Sequence, residues 1–169
     1  MMKKFGVTLS AVLLMVLSGC ASAEEKRKEL RQEFNSLYKL TIDGTGTAHS
    51  NFTTDASEPL EYHSIASGTY QPLQACDYIG NGKNKWVLKA FVVAPKSLTS
   101  QEVSERIDHM RQVWMDQGLE VRNVAGANEM AQIAVDTDSG LTMGYSVSPT
   151  NETINISSTC TADLDPDKQ

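Results

Sequence analysis

The sequence predicts an α+β fold, a two-layer sandwich in which an antiparallel meander sheet carries one packed helix, with a further helix on its N-terminal side. Three observations predict it. After Thr99, apolar residues recur at helical spacing; after Gly118 the period switches to two; and the period-two segments are joined by turns too short for parallel crossovers.

The chain opens with Met-Met-Lys3-Lys4 and an apolar run from Val7 to Leu17. That run, about eleven residues, is too short to span a bilayer as a helix of roughly 20 residues, so residues 1–19 read as a signal peptide. Leu17-Ser18-Gly19-Cys20 closes it. The segment resembles the Leu-[small]-[small]-Cys pattern of bacterial membrane lipoprotein precursors, and the resemblance covers residues 1 to 20. It implies that Cys20 receives a diacylglycerol and becomes the first residue of a chain facing the extracytoplasmic side of a bacterial cell membrane. Two or more acyl chains, each methylene contributing about 0.8 kcal/mol, give stable attachment. Ala21-Ser22-Ala23 is also an A-x-A site, and cleavage there releases a soluble chain starting at Glu24. The closeness of Leu17 to Cys20 favours lipid attachment.

Either route exports the chain and removes Cys20 from disulfide chemistry, leaving Cys76 and Cys160 as a pair with no third competitor in an oxidising compartment. A Cys76–Cys160 disulfide is expected. Two free thiols holding a metal or forming a redox couple would call for a C-x-x-C spacing, which neither cysteine has.

Processing leaves 13 basic and 21 acidic residues, a formal charge of −8, which disfavours nucleic acid and anionic headgroups as partners. About 150 residues suffice for one core.

Residues 20–28 read as a solvated tether. Leu30, Phe34, Leu37 and Tyr38 then give an amphipathic helix over about Glu24 to Leu40, whose polar face mixes signs. Thr41 to Ser67, rich in Gly, Thr, Asp and Asn, reads as a long loop, so residues 29–68 form a helix plus flexible loop outside the compact domain at 69–162. In that domain Cys76–Ile79 reads as a short strand, Gly80-Asn81-Gly82 as a turn, and Trp86–Val93 as a central strand ended by Pro95. Thr99 and Glu102 form a capping box; Val103, Ile107, Met110 and Trp114 make the apolar stripe; Gly118 closes the helix. Leu119–Val124, Met130–Val135, Leu141–Val147 and Thr153–Ser158 are four strands, with turns at Gly126-Ala127-Asn128, Asp138-Ser139-Gly140 and Pro149-Thr150-Asn151. Leu141, Met143, Tyr145 and Val147 share a covered face; Thr142, Gly144 and Ser146 share a wet one. Residues 163–169 read as a disordered acidic tail.

With these elements in place, residues 76 to 160 resemble a loose group of small, uncharacterised cell-wall lipoproteins, which share an N-terminal helix, a Trp-bearing strand, a capped helix ending in Gly, a meander and a closing Ser158-Thr159-Cys160. The resemblance implies no activity.

Motifs for chemistry are sparse. Glu105 and His109 are an i, i+4 pair that could ligate a metal but reads more simply as a surface contact, and His49 and His63 lie in the loop. Gly144-Tyr145-Ser146-Val147-Ser148 departs from G-x-S-x-G at its last position. Gly44-Thr45-Gly46-Thr47 and Gly80-Asn81-Gly82-Lys83 are too short for phosphate loops. Asp136-Thr137-Asp138-Ser139-Gly140 fits a hairpin turn better than a calcium loop. Asn51, Asn151 and Asn155 open glycosylation sequons that a bacterial export signal makes irrelevant. No catalytic residue, metal site or cofactor is expected. The function expected is that of a membrane-anchored lipoprotein that binds an unknown partner without catalysis, the alternative being an envelope enzyme or small-ligand-binding module with a dispersed site.

Overall fold

The computed structural model describes residues 22–79, 83–125 and 130–166. It is an α+β sandwich: two helices lie on the inner face of a seven-stranded antiparallel sheet. Helix α1 (Ala23–Gly44) starts at a capping box, with the Ser22 side chain accepting from the Glu25 amide while the Glu25 carboxylate accepts from the Ser22 amide. Phe34, Leu37, Tyr38, Thr41 and Ile42 are its buried stripe. The buried Thr41 hydroxyl is satisfied by donating to the Leu37 carbonyl one turn back. Beyond the helix, Gly46 adopts φ +65°, which turns the chain away.

Three consecutive hairpins make up one side of the sheet: β4 (Val121–Val124), β5 (Ala131–Asp136), β6 (Leu141–Val147) and β7 (Asn151–Ser158). The long strand β3 (Lys83–Pro95) then pairs with β7 through its second half and with β2 (Leu73–Ile79) through its first. A two-residue strand β1 (Thr53–Thr54) pairs with Val92 and Val93. The inner row, Leu88, Val92, Ile154, Ile156, Leu141, Met143, Tyr145, Ile133 and Val135, is buried under α1 and helix α3 (Ser100–Met115).

Helix α3 follows its pattern. Thr99 and Glu102 form the capping box, and Val103, Ile107, Met110 and Trp114 are all buried. The two helices are joined by a polar contact, as Trp114 Nε1 donates to Thr41 Oγ1 at 2.9 Å. Gly118 takes φ +77° just past the helix end.

Four expectations need correction. Residues 41–68 are not a loop outside the domain. They finish α1, form a 3₁₀ turn at His49–Asn51, β1 and the short helix α2 (Tyr62–Ala66), and put Phe52 and Ile65 into the core. The apolar residues there are few but spaced to point inward, which a composition-based reading misses. The tether at 20–28 is likewise helical from Ala23, because Ser22 and Glu25 supply a cap. The tail at 163–169 begins with a 3₁₀ turn, Ala162–Leu164, that buries Leu164 completely. Finally, the outer sheet face is not uniformly wet: Ser146 and Ala134 are buried, and the Asn155 side chain lies over Gly144, where any Cβ would collide with it. Small side chains on a flat face are shielded by their larger neighbours. The turns expected at 80–82 and 126–128 lie outside the described residues.

Candidate functional site

Cys20 and the segment Leu17–Gly19 lie outside the described residues, which begin two positions after the cysteine. The two other cysteines come together at disulfide distance with α-carbons 6.1 Å apart, within the usual range of roughly 4.4–6.8 Å. The sheet brings them there. Trp86 of β3 pairs with Ala75 on one side and Thr161 on the other, and each cysteine is the chain neighbour of one of these partners. The β2 register shifts between Ala75 and Asp77, at Cys76 itself.

The densest polar cluster lies elsewhere. Glu152, on the inner face of β7, is fully buried. Its Oε1 accepts from the Tyr145 hydroxyl at 2.5 Å and from Arg106 Nη1 at 3.2 Å. Its Oε2 accepts from the Thr47 hydroxyl at 2.7 Å and pairs with Lys96 Nζ at 3.0 Å. Lys96 also donates to Thr47 Oγ1, and Arg106 to the Thr45 carbonyl at 3.3 Å. One carboxylate thus ties together β6, β7, α3, the end of β3 and the loop after α1. Burial and the adjacent Glu152 charge push the Tyr145 phenol far above its ordinary range, so it stays protonated and donates.

A carboxylate has about four acceptor positions, and here four donors fill them. Glu152 cannot take a substrate proton or a metal without giving up a bond to the protein. Its chemistry is that of a paired, saturated buried charge. Glu152 is not among the candidates that the sequence motifs offer, yet a signal was available: β7 alternates, and carrying Ile154 and Ile156 back by one period places Glu152 on the apolar face.

A second cluster gathers at the end of α1. Asp43 accepts from Lys39 Nζ and the Tyr62 hydroxyl, each at 2.5 Å, and contacts His49 Nε2 at 3.1 Å. The His49 ring stacks on Tyr62 with centroids 3.4 Å apart. Partial burial pushes the Asp43 carboxyl up, but the hydrogen bonds from Lys39 and Tyr62 outweigh it and hold the group below its ordinary range. These contacts fasten α2 and the 3₁₀ turn to α1.

Of the other expected candidates, Glu105 and His109 are both exposed on α3, and Glu105 accepts from Gln101 Nε2. His63 is exposed on α2, so the three histidines sit on different elements. Ser146 lies within β6, which runs through a turn into β7 and not into a helix. Asp136 closes the β5–β6 hairpin, bonded to Arg122 and Thr142, and these bonds hold its carboxyl below the ordinary range. Among the described residues no three His, Cys, Asp or Glu side chains converge on a metal-sized site, and no helix is long and apolar enough to cross a membrane.

No family model and no curated protein matches the chain. Among solved structures the chain is similar to the crystal structure of a DUF4853 family protein from Actinomyces odontolyticus, with 11% identity, a TM-score of 0.47, and coverage of 79% of this chain and 67% of that one.

Proposed function

We propose that the protein is a lipid-anchored extracytoplasmic domain that acts by binding at the bacterial envelope, not by catalysis. The observation that carries this reading is the placement of Cys20 at the end of Leu17-Ser18-Gly19-Cys20, two residues before the helix cap at Ser22. With so short a connection, acylation of Cys20 holds α1 against the membrane surface. Two further features support the reading. Cys76 and Cys160 stand at disulfide distance, which suits an oxidising compartment. The one fully buried carboxylate among the described acids has its acceptor positions taken by the protein itself.

Detergent phase partitioning of the full chain made in cells, with mass spectrometry of its N-terminus, tests the anchor. The expected result is a diacylated Cys20 as first residue and loss of membrane association in Cys20→Ala. An unmodified chain beginning at Glu24 would sink the reading.

A further inference from the structure

The sequence of α1 mixes charge signs, and the folded helix distributes them unevenly. Lys28 and Arg31 line the groove that includes Gly68 and Gln71, Arg27 is shared between this groove and the one on the opposite flank, and Glu29 and Glu33 line that opposite groove together with Lys26. On the basic side, a cavity of about 440 Å³ is lined by Arg27, Lys28, Arg31, Gln32, Gly68 and Gln71, with Glu24 as its one carboxylate. Three cations against one acid stand out on a chain that is strongly acidic as a whole.

Arg31 is the informative member. Its Nε is buried and makes no hydrogen bond, and no ion pair to its guanidinium is found among the described residues. The buried Nε lies out of reach of a ligand in the groove, so what Arg31 offers an oxyanion there is its guanidinium charge, which no ion pair among the described residues neutralises. Gln32 and Gln71 add amide groups at the same cavity, and Gly68, at φ +74° with nothing within 4 Å of where a Cβ would stand, keeps the wall open.

We propose that this groove binds the phosphate headgroup of an anionic phospholipid. The choice of a lipid source rests on the anchored reading above. Arg31 lies nine residues beyond the Ser22 cap, about 14 Å along the helix axis. Two more residues reach Cys20, so the groove falls within about 20 Å of the acylated cysteine and of the headgroups around it. The local cations then offset the repulsion that the acidic domain meets at an anionic surface.

The test uses the chain from Ala21 to Gln169, which holds every described element and lacks Cys20, so its outcome is independent of whether acylation occurs. Binding by flotation is compared for vesicles of phosphatidylcholine alone and of equal parts phosphatidylcholine and phosphatidylglycerol. The expected result is binding to the mixed vesicles only. Lys28→Gln combined with Arg31→Gln should weaken it by more than about tenfold, and Lys28→Gln alone measurably. Lys26→Gln, which removes the same charge from the opposite flank, should change it by less than about twofold. Failure to distinguish the vesicles, or equal losses from the Lys26 and Lys28 substitutions, overturns the proposal. Displacement by inorganic phosphate that itself binds the lipid-free chain overturns the assignment to a lipid source.

Discussion

At the scale of single residues, Glu152 is where charge and burial meet. Its four donors compensate the cost of taking a carboxylate out of water, so removing it strands Lys96 and Arg106 beside a buried phenol and a buried hydroxyl. Glu152→Ala is expected to destabilise the domain by about 3–5 kcal/mol in denaturant melts. A loss under about 1 kcal/mol would mean the cluster is dispensable. Tyr145 and Tyr38 carry a pH consequence. Burial raises both phenols above 10.0 in the folded state, so the stability they contribute is present below the unfolded value and is lost as pH rises past it toward the folded one. Stability should fall above about pH 10, with a slope approaching 1.4 kcal/mol per pH unit for each phenol. Melts at stepped alkaline pH check this, and Tyr145→Phe should make the slope shallower while lowering stability at neutral pH. Cys76 and Cys160 could be paired from the sequence by elimination. Glu152 could not be found that way, because its partners arrive from four other segments and an acid is read as solvated until its strand phase is known.

At the scale of elements, legibility followed local signal density. Helix α3 carries its start, stripe and stop within twenty residues, and each was readable: Thr99 with Glu102, the four buried positions, and Gly118. Truncating the fully buried Trp114 to Ala should cost about 3–5 kcal/mol, with the indole's hydrogen bond to Thr41 lost along with its packing. Thr99→Ala should cost about 1 kcal/mol through the lost cap, and Glu105→Ala or His109→Ala less than about 0.5 kcal/mol. Equilibrium denaturation of the four variants ranks them, and a Trp114→Ala protein as stable as the His109→Ala one would contradict the packing. Helix α1 was harder to bound. Thr41, Asp43 and Gly44 are poor helix formers, so propensity ends the helix at Leu40, but burial of Thr41 and Ile42 against the core carries it a turn further.

At the scale of the whole molecule, the boundary drawn near Thr69 cannot be a domain boundary. Phe34, Leu37, Tyr38, Ile42, Phe52 and Ile65 all lie before it, and all are buried in the same cluster as the sheet and α3. Burying a side chain of this kind contributes about 1.5–3 kcal/mol, so the six together supply on the order of 10 kcal/mol, comparable to the whole net stability of a domain. The link between Cys76 and Cys160 lies entirely within the remainder. Closing that loop of 84 residues constrains the unfolded chain by about 4–5 kcal/mol on the chain-entropy model, which is less than the burial lost. A fragment spanning residues 69–169 is therefore expected to lack a cooperative unfolding transition even when oxidised, while the chain from Ala21 shows one. Calorimetry of the two side by side decides it. A sharp transition in the shorter fragment would show that the sheet and α3 hold together alone, and would return α1 and α2 to the status of an appended arm.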